Sequence, residues 1–156
     1  MGVLNGSTRI TPFLWFDSNA EQAVDFYLSV FKNSQKLEVF RNNGAAPGPK
    51  DGVLTIAFEL DGARFTALNG GPAHKFTEAV SFVVRCDTQE EVDYYWERLT
   101  EGGTEIACGW LRDKFGLAWQ VTPARISELL RTPKAMQAMM GMKKLVIAEL
   151  ERAAES

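Results

Sequence analysis

The chain has 156 residues, of which 46% are hydrophobic and 24% charged, and its net charge is −3. This length and composition predict one globular domain, or one domain built from two similar halves. The acidic balance argues against nucleic acid or an anionic membrane surface as a partner, and no apolar run approaches the length of a membrane span.

The first predicted elements are a strand and an amphipathic helix. Thr8–Phe16 is a run of bulky residues typical of a strand, and Ser18 with Glu21 has the spacing of a capping box that would begin the helix. Apolar residues recur at helical intervals, which predicts one buried stripe: Ala20, Ala23, Val24, Tyr27, Val30 and Phe31.

Three extended segments complete the first half: Leu37–Arg41, Val53–Leu60 and Arg64–Asn69. The Asp61-Gly62 dipeptide joins the last two segments and is a strong signal for a hairpin turn. Residues 42–52 are polar and rich in Gly and Pro, so we expect the most mobile loop of the chain there.

The second half repeats this order of elements. Val80–Cys86 is typical of a strand, and Thr88 with Glu91 forms a second capping box before another amphipathic helix. Three short strands are expected after that helix: Glu105–Cys108, Trp110–Asp113 and Leu117–Thr122. From Ile126 onward the chain is predicted to be helical, with a break near Thr132-Pro133.

Short matches in sequence support an internal repeat. Val24–Tyr27 on the first helix matches Val92–Tyr95 on the second, and Ala67–Asn69 matches Ala118–Gln120. These matches predict a βαβββ unit used twice. Asn69 and Gln120 would then be equivalent, and two side-chain amides would face whatever cavity the sheets enclose.

The two cysteines, Cys86 and Cys108, do not form a CxxC pair. They are typical of unpaired thiols in a reducing compartment rather than of a disulfide framework. Together with the absence of a signal-peptide pattern, this predicts a cytoplasmic protein.

Several segments of the sequence resemble a known family. The segments "ITPFLWFDSNAEQAVDFY", "FTALNGGP", "AVSFVVRC", "TQEEVDYYWERL" and "CGWLRDKFGLAWQVTP", together with the Met-rich tail, resemble the PhnB-like branch of the vicinal-oxygen-chelate (glyoxalase/bleomycin-resistance) superfamily. Proteins of this branch are often labelled 3-demethylubiquinone-9 3-methyltransferases. The resemblance spans roughly residues 10–150.

This resemblance implies an α+β fold in which two βαβββ modules form a cupped eight-stranded mixed sheet, followed by C-terminal helices. We expect a single glyoxalase-like domain over residues 1–156, with module one at about 8–72, module two at about 79–123 and a helical tail at about 126–154. It also implies a homodimer. The same architecture hosts isomerases, dioxygenases, thiol transferases and drug-binding proteins, so it does not fix the chemistry.

The resemblance also allows a test for a metal site. Metal-dependent members carry His, Gln or Glu on the first strand of each module and a Glu on the last strand. Gln120 stands where that Glu would be, and the first-strand positions fall near Pro12 and near Val80 or Ser81. Neutral amides without imidazole or carboxylate partners make a weak cation site, so we expect neither a tightly bound metal nor another cofactor.

Two residues are candidates for catalysis. His74 follows Gly70-Gly71-Pro72 and could act as a general acid or base, although an exposed linker histidine without function is the favoured explanation. Cys108 could be a nucleophile, but no basic residue adjoins it in sequence and unpaired cysteines are usually buried as small hydrophobes. Cys86, at the end of an apolar strand, is expected in the core.

The candidate ligand-binding residues combine aromatic and polar side chains, as small-molecule pockets do. Aromatic packing without any ligand is the alternative explanation. By strand alternation Trp119 lies opposite Gln120 and should pack under a helix. The predicted pocket residues are Phe13, Trp15, Asn69, Ser81, Trp110 and Gln120.

The favoured function is therefore a small-molecule-binding protein of the vicinal-oxygen-chelate type. The alternative is an enzyme acting on a small metabolite or electrophile, as a lyase, isomerase or transferase, and whether the chain is an enzyme stays open. The methyltransferase label is favoured least, because the turn after the first strand, Phe16–Asn19, has none of the glycines of an S-adenosylmethionine-binding turn.

Overall fold

The computed structural model describes residues 6–156 and divides the chain into two compact units. Unit 1 ends at Lys75, and unit 2 runs from Phe76 to Ser156. Each unit contains a strand, a helix and three further strands in that order. The predicted βαβββ repeat and the α+β fold class are therefore confirmed, while the grouping of the whole chain into a single domain stays a prediction.

Unit 1 contains one mixed sheet of four strands. Its elements are β1 Phe13–Phe16, α1 Ala20–Val30, β2 Ser34–Arg41, β3 Val53–Leu60 and β4 Ala63–Asn69. The strands lie in the order β1-β4-β3-β2, with β1 parallel to β4 and the other neighbours antiparallel. Asp61 and Gly62 both have positive φ, 48° and 87°, which confirms the predicted hairpin turn.

One face of this sheet packs against α1 and forms the core of unit 1. The apolar stripe of α1 contacts β2, β3 and β4, and Tyr27, Ile56 and Phe58 are fully buried between helix and sheet. Side chains alternate along a strand, so the intervening residues lie on the opposite face, which we call the distal face of unit 1. It carries two rows of residues in register, Phe13, Thr66, Ala57 and Glu38, then Trp15, Leu68, Thr55 and Phe40.

Unit 2 has the same topology. Its elements are β5 Ser81–Cys86, α2 Gln89–Thr100, β6 Thr104–Glu105, β7 Trp110–Arg112 and β8 Ala118–Pro123. The strands lie in the order β5-β8-β7-β6, and β5 is parallel to β8. The hydroxyl of Thr88 accepts the backbone N–H of Glu91 at 3.2 Å, so the predicted N-cap of α2 is confirmed.

The core of unit 2 lies between α2 and the sheet. Leu111 and Val121 are fully buried, and Trp119 is 3% exposed, as predicted from strand alternation. Its indole N–H donates to the buried carboxylate of Asp113 at 2.9 Å. The sheet face opposite α2 is the distal face of unit 2, with these residues in register: Ser81, Ala118 and Arg112, then Val83, Gln120 and Trp110, then Arg85 and Thr122.

The tail forms three helices, α3 Ile126–Leu129, α4 Pro133–Met140 and α5 Ile147–Glu155. The predicted break is confirmed, because Thr132 caps α4 and Pro133 is its first residue. Gln89 ties the tail to α2: its amide donates to the carbonyl of Leu145 and accepts from the N–H of Ile147. None of the described helices has the length and apolar character that crossing a bilayer requires.

Some local predictions are wrong. The first strand begins at Phe13 rather than Thr8, and Ser18 does not cap α1, whose N-cap position is Asn19 without a side-chain hydrogen bond. The last strands are also shorter, since β6 ends at Glu105 and Cys108 has a positive φ of 59°. These features depend on contacts with residues that are distant in the sequence, which local patterns do not show.

The 42–52 loop has an internal hydrogen-bond network that its composition does not predict. Asn42 is 3% exposed, and its side-chain N–H groups donate to the carbonyls of Ala46, Pro47 and Gly48. Its side-chain oxygen accepts the N–H groups of Gly44 and Ala46. One buried amide thus organises a loop that is otherwise made of small, weakly structured residues.

Candidate functional site

The distal face of unit 2 places three of the predicted pocket residues together. Gln120 lies in register with Trp110 on β7, and its amide nitrogen donates to the hydroxyl of Ser81 at 2.9 Å. Within residues 6–156 no group donates a hydrogen bond to the amide oxygen of Gln120. In this orientation the amide oxygen of Gln120 is the atom of the pair left without a partner among the described residues.

The rim of this face combines an exposed apolar side chain with charged ones. Val83, paired with Gln120 in the register, is 59% exposed. Arg112 lies 3.9 Å from Glu78, and Arg85 forms an ion pair with Asp87 at 2.7 Å. Both arginines are exposed and paired, so these charges contribute little fixed potential to the face.

Cys108 lies at the corner that leads into β7. Its backbone N–H donates to the carbonyl of Met142, and the N–H of Gly109 donates to that of Lys143. Gly109 has a φ of 83°, and a Cβ there would lie 2.9 Å from the carbonyl oxygen of Val121, so only glycine fits. The corner is held by backbone contacts, and no hydrogen bond to the Cys108 thiol is present among the described residues.

The distal face of unit 1 carries the other aromatic candidates. Phe13 is 54% exposed, while the indole N–H of Trp15 donates to the carbonyl of Gly71 at 2.9 Å. The Trp15 ring meets the His74 ring edge-on, with 4.7 Å between centroids. Gly70 makes this possible, because a Cβ there would lie 2.4 Å from the Trp15 ring.

Asn69 does not lie on the distal face. Its side-chain oxygen accepts the N–H of Ala20 at 2.9 Å, and its nitrogen donates to the carbonyl of Val53 at 2.9 Å. Asn69 therefore supplies the cap of α1 that Ser18 was expected to provide. Both the oxygen and the nitrogen of its side-chain amide are therefore hydrogen-bonded within unit 1.

The predicted equivalence of Asn69 and Gln120 is wrong. Phe16 pairs with Asn69 at the end of β4, and Cys86 pairs with Pro123 at the end of β8. Counting back from these ends places Thr66, not Asn69, at the position of Gln120. The tripeptide match along the sequence is therefore displaced by three residues, an odd number that exchanges the two faces of the strand.

The two catalytic candidates are not brought together within either unit. His74 belongs to unit 1 and Cys108 to unit 2. Neither side chain hydrogen-bonds to a residue in the described part of the chain, so neither has a partner that would activate it as a base or a nucleophile.

Cys86 has the properties of a core residue, as expected. It is fully buried, and this burial, with smaller contributions from Glu91 and Asp87, raises the pKa of its thiol to about 12. A thiol in this environment stays protonated and unreactive at neutral pH.

The donor set around Gln120 does not fit a divalent cation. Its neighbours are a serine hydroxyl and a tryptophan, and Thr66 stands at the equivalent position of unit 1. Within residues 6–156 no group of three or more His, Cys, Asp or Glu side chains converges as metal ligands do. Hydroxyl and amide groups without an anionic or imidazole ligand bind such ions weakly.

Sequence reasoning missed one residue of the distal face of unit 1. Glu38 lies beside Ala57 there, and one of its carboxylate oxygens is buried without a hydrogen-bond partner. Alternation within the predicted segment Leu37–Arg41 places Glu38 opposite Val39, as the structure has it, but nothing in that pattern distinguishes Glu38 from an ordinary exposed charge.

Two depressions lie on the tail. A groove of about 560 Å³ runs between α4 and α5, and a smaller one of about 190 Å³ lies beside α3. The smaller depression is lined by Arg125, Glu128 and Glu151, which pair with one another on the surface. Neither depression includes a residue singled out by the sequence.

Comparisons with known proteins agree with this architecture. The family model described as 3-demethylubiquinone-9 3-methyltransferase matches residues 8–122, so most of the tail lies outside the match. The solved structure of a PhnB protein from Bacillus cereus is 33% identical, with a TM-score of 0.68, and the match covers 75% of this chain and 100% of that one. No curated protein matches the chain.

Two more distant structures share the fold alone. Protein PA1353 from Pseudomonas aeruginosa is 22% identical, with a TM-score of 0.62 and coverage of 75% of this chain and 98% of that one. The fosfomycin resistance protein FosX from Mesorhizobium loti is 12% identical, with a TM-score of 0.56 and coverage of 80% and 98%.

Proposed function

The chain belongs to the 3-demethylubiquinone-9 3-methyltransferase family, in the PhnB-like branch of the vicinal-oxygen-chelate superfamily, and from that premise we propose that it binds a small molecule without a tightly held metal. The observation that carries the proposal is the Gln120–Ser81 pair beside Trp110 on the distal face of unit 2. A fixed polar group next to an aromatic wall is the usual make-up of a small-molecule site.

The orientation of Gln120 defines what its ligand must offer. Because the amide nitrogen is already bonded to Ser81, the amide oxygen is the group that remains for recognition. The ligand therefore presents a hydrogen-bond donor to this oxygen and an apolar surface to Trp110 and Val83. A half-buried position strengthens such a bond relative to one made in water.

We do not include catalysis in this proposal. An enzyme acting on a small metabolite or electrophile would need His74 or Cys108 to be activated, and no described residue hydrogen-bonds to either side chain. The methyltransferase description of the family carries less weight, because the turn from Phe16 to Asn19 lacks the glycines that nucleotide-type cofactors require. We also propose that the protein acts in the cytoplasm, as its two unpaired thiols indicate, and that it forms a homodimer, as the superfamily resemblance implies.

A thermal-shift screen of neutral and charged metabolite-sized compounds tests the proposal, since a ligand that binds only the folded state raises the melting temperature. Compounds that raise it are then titrated against Gln120→Ala and against Gln137→Ala, a matched change on the exposed surface of α4. We expect Gln120→Ala to weaken binding about tenfold, the loss of one hydrogen bond of about 1.4 kcal/mol. The Gln137→Ala variant should bind like the wild type.

Either of two results would contradict the proposal. One is a screen in which no compound raises the melting temperature of the wild-type chain. The other is a ligand whose affinity is the same for Gln120→Ala as for the wild type.

A further inference from the structure

We propose that a segment of the tail, residues 142–147, positions Trp110 in the Gln120 site, so that docking of this segment controls the affinity of the site. We call the segment the strap. It connects α4 to α5 and contacts both α2 and the turn that precedes β7. The inference rests on the proposed small-molecule-binding function and adds positioning residues that lie outside the distal face.

The turn before β7 has a conformation that its sequence does not favour. The N–H of Trp110 donates to the carbonyl of Ala107 at 2.9 Å and closes a four-residue turn between β6 and β7. The two central residues, Cys108 and Gly109, have φ values of 59° and 83°, as a type I′ turn requires. Glycine, asparagine and aspartate adopt positive φ readily, whereas the Cβ of a cysteine opposes it. Contacts from outside the turn are therefore needed to hold Cys108 in this conformation.

The strap supplies these contacts. The N–H groups of Cys108 and Gly109 donate to the carbonyls of Met142 and Lys143 at 2.9 and 2.8 Å. Both N–H groups are thereby satisfied by the strap rather than by water. Leu145 is 1% exposed and packs against Gly109, where its side chain lies 3.1 Å from the position that a Cβ would take. Two backbone hydrogen bonds and one buried side chain thus fix the turn from the side of the tail.

Helix α2 in turn holds the strap. The side-chain amide of Gln89 donates to the carbonyl of Leu145 at 3.1 Å and accepts the N–H of Ile147 at 2.8 Å. The same amide donates to the carboxylate of Asp93 at 3.0 Å, and this carboxylate pairs with Lys144 at 2.8 Å. Gln89 is therefore the residue of α2 on which docking of the strap most depends.

The turn determines where Trp110 lies. Trp110 is the first residue of β7, and its carbonyl accepts the N–H of Ile106 at 2.9 Å. On the other side, the N–H of Val121 donates to the carbonyl of Gly109 at 2.8 Å, next to Gln120, which is in register with Trp110. A turn that relaxed to another conformation would therefore move the aromatic wall of the site relative to its amide.

The strap also lies outside the region that matches the family model, which ends at residue 122. The tail can therefore adjust the site of this chain without any change in the shared sheet. Docking of the strap and binding of a ligand favour the same conformation of the turn. Each is then expected to strengthen the other by the same factor.

Hydrogen exchange at the amides of Cys108 and Gly109 measures docking, because both N–H groups are bonded to the strap. Gln89→Ala removes two hydrogen bonds to the strap and leaves the distal face unchanged. We expect exchange at both amides to become about tenfold faster in this variant. Thr88→Ala is the matched control, since it removes the N-cap of α2 and leaves both Gln89 bonds in place. Exchange in this variant should change by less than about threefold.

Phenol is the probe of the site, because it offers one hydrogen-bond donor and an apolar ring, and Gln120→Ala should weaken its binding. If phenol binds only when the strap is docked, phenol at ten times its Kd should slow exchange at Cys108 and Gly109 of the wild type about tenfold. A purely structural tail would show no such dependence on phenol.

Leu145→Asp releases the strap, because it places a charge in a buried position. We expect the NMR signal of the Trp110 indole to shift and the affinity for phenol to fall about tenfold. Met140→Asp is the matched control, since it adds the same charge to a side chain of the tail that is 66% exposed. It should leave both the signal and the affinity unchanged. The exchange measurements test the proposal even if Leu145→Asp does not fold.

Three results would overturn the proposal. Equal acceleration of exchange in Gln89→Ala and Thr88→Ala would show that the strap does not open separately from unit 2. An unchanged Trp110 signal in folded Leu145→Asp would refute the positioning of Trp110. Phenol that binds without slowing exchange at Cys108 and Gly109 would refute the coupling.

Failure of the proposed function gives a different result. The wild type would then not bind phenol, although Leu145→Asp would still shift the signal of Trp110. That result would contradict the ligand site and support the role of the strap in positioning Trp110.

Discussion

The two units share one topology but differ in the chemistry of their distal faces. Unit 1 presents aromatic side chains at its two edges and Glu38, one of whose carboxylate oxygens is buried without a hydrogen bond. Unit 2 presents an oriented amide, Gln120, and two arginines that are already paired. The two units therefore share a strand order and a helix-facing core, while the chemistry of their distal faces differs.

The two sides of each sheet also differ in how far their side chains are buried. In both units the helix-facing residues are large and fully buried, as Phe58 and Val121 are. The distal positions Phe13 and Val83 are equivalent in the register, and more than half of each side chain is exposed. Substitutions on the helix side should therefore change stability, and substitutions on the distal faces should change binding.

The largest effect is expected from Asp113→Ala. This buried carboxylate accepts hydrogen bonds from the backbone N–H groups of Phe115 and Leu117 and from the Trp119 indole. Removing it leaves three donors unpaired, so the free energy of unfolding should fall by about 4 kcal/mol in urea denaturation. Asp87→Ala, which breaks an exposed ion pair in the same unit, should cost less than about 1 kcal/mol.

If Asp113→Ala were no more destabilising than Asp87→Ala, the helix-facing side would not carry the stability of unit 2. The contrast between the two sides of the sheet would then fail.

A smaller effect should separate Asn69 from Gln120. Asn69→Ala removes the cap of α1 and the bond to Val53, so unfolding should become easier by about 1.5 kcal/mol. Gln120→Ala loses one half-buried bond to Ser81 and should cost about 0.5 kcal/mol in the same measurement. Similar losses of stability in both variants would contradict the view that Asn69 is bonded into the fold more strongly than Gln120.

The two thiols should differ in their rate of chemical labelling. Iodoacetamide should label Cys108 in the folded protein at pH 8 at least about 100-fold faster than Cys86, because burial keeps Cys86 protonated. Peptide mass spectrometry with and without urea measures both rates. Comparable rates in the folded state would show that Cys86 is not held in the core.

The raised pKa of Cys86 also gives a pH dependence. Its folded-state pKa of about 12 lies above the value of 9.0 expected for an unperturbed thiol. Its contribution to stability is therefore complete below pH 9 and is lost between pH 9 and pH 12, where the unfolded thiol ionises first. The difference in unfolding free energy between wild type and Cys86→Ala should shrink over this range.

Local signals in the sequence predict several features of the fold correctly. The Thr88 capping box, the Asp61-Gly62 turn and the break at Pro133 each depend on contacts within a few residues, and each is confirmed. Strand alternation also predicted correctly that Trp119 packs in the core, with Gln120 on the other face.

The parts that failed depend on long-range register. Asn69 caps a helix that begins 49 residues earlier, a contact that no local pattern encodes. The register shift between Lys36 and Glu38 sets which residues of β3 lie beside Glu38, and no local pattern shows that pairing. The candidate site could therefore be predicted around Ser81 and Gln120, where the strands are regular, but the surroundings of Glu38 could not.

A crystal structure with the best compound from the thermal-shift screen tests whether the distal face of unit 2 binds small molecules. We predict ligand density in contact with the amide oxygen of Gln120. Density found instead only in the groove between α4 and α5 would contradict the claim, because that groove belongs to the tail and involves neither distal face.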